Sequence, residues 1–230
     1  LSLNGGTILD LAGNTTTLTH LAVTDNAGYK VDTTAATVSS VAITGATGVS
    51  NNTLNAGDVV TVTVTLSEAV AITGTPQLGL TVGGTVVQAS YVAAGSTATQ
   101  LKFNYTILAS QTDANGIAIV ANSLSLNGGT SLDLAGNTTT LTHSAVSDNA
   151  GYFVDTTAAT VSSVAITGAT GIANSTLNAG DVVTVTVTLS EAVAVSGTPK
   201  LGLTVGSTGV QANYVAAGST ATQLKFTYTI

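Results

Sequence analysis

The chain carries eleven carboxylates against four lysines and no arginine, so most of its acids lack a partner of opposite sign. Oxygen donors of this kind suit a hard divalent cation such as Ca²⁺, which takes about six to eight oxygens from carboxylates, amides and backbone carbonyls. One candidate set is Asp32, Glu68 and Asp133, with Asn137 in the same loop as Asp133. A second is Asp148, Asn149 and Asp155, which precede Glu191. Asp58 and Asp113, together with Asp181 and Asp25, are further metal candidates. Each acid also has a plainer use. Gly57-Asp58 before a strand and Asp133 to Asn137 both read as turns in which Asp bonds its own backbone, and Asp32 before Thr33-Thr34 reads as solvated linker.

Other chemistries lack their parts. His20 and His143 sit on a strand face with Leu18 and Leu141 at the same parity, and no cysteine or nucleophile accompanies either as a zinc site or triad requires. Gly5-Gly6 and Gly128-Gly129 follow Asn and precede no helix, so neither is a phosphate loop. Nothing beside the acids suggests a substrate pocket lined by aromatics or histidine. The expectation is that the chain is not an enzyme.

The elements that must position the acids are strands. Val60, Val62, Val64 and Leu66 alternate with Thr61, Thr63 and Thr65, the period-two pattern of a sheet with one buried face. Leu78 to Val82 and Leu101 to Ile107 repeat it, with Lys102 at the outward parity and Tyr91 and Tyr105 as packed rings. Gly83-Gly84 predicts a two-residue hairpin into Val86 to Tyr91. Val38 to Ile43, Ile117 to Leu126 and Thr138 to Val146 complete the set, with a parity change between Ala121 and Leu124 that predicts a bulge or bend. Seven short strands in about 110 residues, separated by Gly, Asn and Ser turns, describe an all-β, immunoglobulin-like sandwich without the Cys-Trp-Cys core.

Strands in such a sandwich mostly reverse direction, which places the acids. With Asp32 at one pole, the second strand returns Glu68 to it and the sixth returns the Asn127 to Asn137 loop. Asp58, Asp113 and Asp148 fall at the opposite pole.

Leu1 to Ile107 overlies Leu124 to Ile230 at an offset of 123, with differences at 14 of 107 positions. A period this long holds a whole domain, whereas solenoid units of about 20 to 50 residues need neighbours to form a core. The predicted organisation is therefore residues 1–31 as the end of one repeat, 32–154 as a complete repeat and 155–230 as the start of a third. The residues expected after Ile230 correspond to Leu108 to Ser123, which makes the chain a window on a longer array.

Composition agrees with β structure: hydrophobic residues are 44% and aromatics 4%, with Thr, Val, Ala, Gly and Ser dominant. A net charge of −7 argues against nucleic acid, because phosphate neutralisation needs clustered Lys and Arg. Thr interrupts every long apolar stretch, so no membrane span or signal peptide is expected. The absence of cysteine leaves the compartment open.

With "VDTTA" at 31–35, "AGDVVTVTVTLSEAV" at 56–70, "GTPQLGL" at 74–80 and "LDLAGN" at 132–137, the chain resembles the tandem bacterial immunoglobulin-like repeats of giant surface adhesins over its whole length. The resemblance implies extenders that hold a terminal ligand-binding domain away from the cell, secreted or at the bacterial surface, with calcium stiffening the junctions. It places the linker acid on Asp32 and Asp155, the strand-end glutamate on Glu68 and Glu191, and the D-x-x-G-N loop on Asp10, Asp133 and Asn137. One departure stands out: Ala36 and Ala159 occupy the position where these repeats usually carry proline.

The expected partners are neighbouring repeats or other copies of the chain. A competing expectation is an extracellular filament or sheath. Thr156 to Ile230 supplies five strands with a core to cover and Leu1 to Lys30 a loose final strand, so the pieces could pair between chains. A glycan-binding module is disfavoured by the scarcity of aromatics available for stacking on sugars.

Overall fold

The computed structural model describes residues 1–230. Its strands are β1 (Val38–Ala46), β2 (Thr53–Leu54), β3 (Val59–Leu66), β4 (Val70–Ile72), β5 (Gln77–Val82), β6 (Thr85–Val92), β7 (Gln100–Thr106), β8 (Thr112–Asp113), β9 (Ala118–Ile119) and β10 (Ser131–Asp133). They continue with β11 (Phe153–Asp155), β12 (Val161–Ala169), β13 (Val182–Leu189), β14 (Lys200–Val205), β15 (Thr208–Val215) and β16 (Gln223–Thr229). The protein is all-β, with several antiparallel sheets compatible with a β-sandwich. No helix is long and apolar enough to cross a membrane.

The chain divides into two compact units: residues 1–47, 59–106 and 117–149, and residues 48–58, 107–116 and 150–230. The first holds an antiparallel sheet ordered β1-β3-β7-β6-β5-β9 and a two-stranded β10-β4 ladder. The Val/Thr alternation decides which face of β3 is buried: Val60, Val62 and Val64 are fully enclosed. Each such side chain contributes about 1.5–3 kcal/mol through removal from water. Phe103 is likewise enclosed and meets Tyr91 edge-on at 5.8 Å. The Gly83-Gly84 hairpin forms as expected, with both residues at positive φ, 56° and 78°, as a type I′ turn requires.

Two expected strands are not regular. Ile117 to Leu126 keeps only β9, because Ala121-Asn122 forms a turn with Asn122 at φ 52°. That turn is the bend behind the parity change. Thr138 to Val146 forms no ladder, because its bonds go to different neighbours. Thr138 bridges Leu132, Thr140 donates to Ala36 O at 2.8 Å, and Val146 exchanges bonds with Ile119. His143 latches this segment: Nε2 accepts the Ser123 N–H at 3.1 Å, Nδ1 faces Ser144 O at 2.9 Å, and its backbone N–H donates to Asn122 Oδ1. Such two-residue and single-bridge elements leave little alternation to read.

The second unit contains an antiparallel sheet ordered β12-β13-β16-β15-β14 and a three-stranded group ordered β2-β11-β8. β11 runs parallel to β2 and antiparallel to β8, so the "VDTT" segment that begins at Val154 is held by hydrogen bonds on both sides. Thr156 Oγ1 adds a bond to Gln111 O at 3.0 Å. The small core of the five-stranded sheet gathers Val187, Ala212 and Phe226, with Leu201 and Leu203 packed against it.

Candidate functional site

The first unit brings Asp32, Glu68 and Asp133 together, with one carboxylate oxygen from each lying within 4.8 Å of the others. Asp32 is exposed, Glu68 half-buried and Asp133 buried. Asp133 ends β10 and folds the next four residues around itself. Its Oδ1 accepts the Ala135 and Asn137 N–H groups at 2.9 and 2.8 Å, and its Oδ2 accepts Asn137 Nδ2 at 2.8 Å. Gly136, at φ 93°, permits the loop to close. Asn137 Nδ2 also reaches Asp32 O at 3.3 Å and Thr34 O at 3.4 Å, tying the linker to the loop.

Glu68 arrives at the end of β3. Ser67 sets its approach, since its Oγ accepts the Thr37 N–H and its own N–H donates to Thr37 O, both at 2.9 Å. Nothing in the sequence marks this clasp, since Ser67 reads there as an ordinary strand-end serine. Asp32 Oδ1 accepts the Thr34 N–H at 3.0 Å.

The electrostatics divide the three acids. Burial, then the charges of Asp32 and Asp133, push the Glu68 carboxyl above its ordinary value of 4.5. Asp133 goes the other way. Burial raises it, but the Asn137 side chain and the Asn137, Ala135 and Gly136 backbone groups outweigh that and hold it below 3.8. An ionised carboxylate has about four lone-pair sites. Asp133 spends three of them on its loop, so it orients the site while Asp32 and Glu68 have more capacity to spare.

In the second unit Glu191 meets Asp155. Burial, the Asp155 charge and a hydrogen bond with Asp155 all raise the Glu191 carboxyl above 4.5. Its Oε1 is buried without a hydrogen-bond partner, an arrangement that favours a proton or a cation on the pair.

The remaining acids serve turns or stand in open chain. Asp58 Oδ2 accepts the Asn55 N–H at 2.7 Å, and Asp181 Oδ2 accepts that of Asn178 at 2.6 Å. Asp113 is buried and accepts the Asn115 and Gly116 N–H groups at 3.2 and 2.9 Å. For these three the plainer reading, turn chemistry, accounts for the observed contacts. Asp10 is exposed and closes an Asx loop with Ala12 and Asn14, and Asp25 and Asp148 are exposed in irregular chain. The exposed groove lined by Val38–Val41 and Thr142–Val146 contains His143, whose two ring nitrogens are both engaged in the latch. Comparison with family models, with curated proteins and with solved structures returned no match.

Proposed function

We propose that the chain is a run of immunoglobulin-like extender repeats, with a 123-residue period, from a large secreted or surface-anchored bacterial adhesin. In this reading a divalent cation, Ca²⁺ first, sits among the acids beside the VDTT linkers. The observation that carries it is the convergence of Asp32, Glu68 and Asp133 from three separated stretches of sequence onto one point. Burial and then the charges of Asp32 and Asp133 raise the Glu68 carboxyl, and a cation among the three would offset those charges. Asp32 and Glu68 would supply the freest oxygens, and Asp133 would add one more while its loop holds the linker. Asp155 and Glu191 are the corresponding linker acid and strand-end glutamate.

The test is thermal denaturation and small-angle scattering of the chain in Ca²⁺ and in EDTA. Saturation at a hundredfold excess over Kd is worth about 2.7 kcal/mol to the unit that binds. The expected result is a higher melting temperature and a narrower range of shapes in Ca²⁺, both diminished by Glu68→Gln combined with Asp32→Asn. Indifference of both readouts to millimolar Ca²⁺ would overturn the calcium reading.

A further inference from the structure

A threonine-rich chain acquires Asn-x-Ser/Thr triplets by composition alone, and this one has five, beginning at Asn14, Asn51, Asn104, Asn137 and Asn174. The triplet is the acceptor pattern for N-linked sugar, which needs a surface asparagine whose amide nitrogen is free to react. What separates the five is where the fold puts each amide.

Three are engaged. Asn14 Nδ2 donates to Asp10 Oδ2 at 2.8 Å, and Asn137 Nδ2 donates to Asp133 Oδ2 at 2.8 Å while also reaching the Asp32 and Thr34 carbonyls. Asn104 is half-buried in β7, between Thr61 of β3 and Ser90 of β6, and its Oδ1 accepts the Thr61 hydroxyl at 3.0 Å.

Asn51 and Asn174 are placed differently. Each is the first central residue of a two-residue turn. Ser50 and Thr53 exchange both backbone hydrogen bonds around the first turn, at 3.0 and 2.9 Å, and Ala173 and Thr176 do the same around the second. Asn51 and Asn52 have φ 49° and 61°, as do Asn174 and Ser175, the positive values a type I′ turn requires. All four residues are exposed, and no side-chain hydrogen bond ties the Asn51 or Asn174 amide to the protein. The third member of each triplet folds back on the first: Thr53 Oγ1 donates to Asn51 O at 3.3 Å and Thr176 Oγ1 to Asn174 O at 3.4 Å. The first turn is also held from behind, since Asn52 O accepts the Phe153 N–H at 2.8 Å and Leu54 is fully buried.

Positive φ accounts for asparagine at the turn, but it does not call for threonine two residues on. The two copies of the repeat differ at three places here, Val49/Ile172, Ser50/Ala173 and Asn52/Ser175, yet the first and third members of the triplet are the same in both. At the engaged Asn104 the other copy has Thr227, and the triplet is lost.

We infer that Asn51 and Asn174 are acceptors for N-linked sugar, one on the same turn of each copy of the repeat. The donor is a sugar esterified at C1 to a pyrophosphate, and the catalyst is a glycosyltransferase of the producing cell. Nδ2 attacks C1, so the N–C1 bond forms and the C1–O bond breaks. The pyrophosphate leaves with the electron pair, and the amide proton passes to a base of the transferase. The turn suits this because it presents the asparagine outside any ladder, where a bulky solvated group displaces nothing. The inference needs no cation and goes beyond the extender reading.

The experiment uses the whole chain recovered from the cells that make it. Cleavage after the acidic residues puts each triplet on its own peptide, residues 11–25, 33–58, 69–113, 134–148 and 156–181. The expected result by mass spectrometry is hexose or N-acetylhexosamine on 33–58 and 156–181, at several-fold higher occupancy than on the other three. Asn51→Gln and Thr53→Ala should each remove it from 33–58, and Thr53→Ser should retain it. A single sugar marks a nucleoside-diphosphate donor and an oligosaccharide a lipid pyrophosphate. Unmodified 33–58 and 156–181 would overturn the inference, as would equal occupancy of all five peptides. So would a sugar that survives Asn51→Gln and is released by mild alkali, which marks attachment to a serine or threonine oxygen.

Discussion

Replacement of one leucine in each of two nearly identical strands isolates what cover contributes. Leu80 and Leu203 occupy the same place in β5 and β14, but Leu80 is 0% exposed and Leu203 half-buried. Leu→Ala in an enclosed core costs about 2–5 kcal/mol, the transfer of the lost methyl and methylene groups plus a cavity that cannot collapse. At Leu80 both contributions apply, which gives about 3 kcal/mol. At Leu203 part of the side chain is already in water and the space left behind opens to solvent, which gives about 1 kcal/mol. Hydrogen exchange read by mass spectrometry can assign each loss to its unit, because the β7 and β16 peptides differ in mass through Asn104 and Thr227. At about 1.4 kcal/mol per tenfold, Leu80→Ala should speed global-opening exchange in β7 roughly 100-fold, and Leu203→Ala in β16 only about fivefold. Equal losses at both sites would refute the reasoning, since the β14 face would then be enclosed within a single chain.

Gly129→Ala should destabilise the first unit by about 1–3 kcal/mol, because its Cβ would lie 2.0 Å from Thr73 O, between β4 and β10. Gly6→Ala, whose Cβ meets only Leu3 O at 3.1 Å, should stay within about 0.5 kcal/mol, and denaturation midpoints of the two variants check this. The pH response of Glu68 follows from its raised carboxyl. The folded state binds this proton more tightly than the unfolded state, so in chelator the Glu68 contribution to stability falls as pH rises from about 4.5 through the folded value and then levels off. Asp133, held low, acts oppositely and only below 3.8, where its contribution is lost as pH falls. Glu68→Gln should therefore flatten the stability profile above pH 4.5 in EDTA, and an unchanged slope would exclude the raised Glu68 carboxyl as its cause.

Much of the sheet was legible from side chains. The Val/Thr alternation of residues 59–66 and the Gly83-Gly84 pair foretold β3 and the β5–β6 hairpin, because one-sided burial and positive φ leave marks on residue type. Strand direction alone brought Asp32, Glu68 and Asp133 to one end, and the structure brings them within 4.8 Å. Illegible were the elements built from isolated bonds. β4, β10 and β11 are three residues each, and their pairing depends on a distant strand arriving in register, which no local pattern encodes. Ser67 and His143 act through backbone groups they reach only after folding. Asp58, whose Gly57-Asp58 pair already read as a turn, and Asp181 each accept a backbone N–H of their own loop.

The sequence by itself determined the β class, the inward parity of the long strands, the internal repetition and the excess of unpaired acid. Each of these is written in residue type and spacing. Only the tertiary structure decided which acids meet and which identical residues are covered. Leu80 and Leu203 have the same nearest neighbours in sequence, yet their exposures diverge. Burial belongs to the partner surface as much as to the residue, and a strand such as Val70–Ile72 exists only where β10 supplies the other half of its hydrogen bonds.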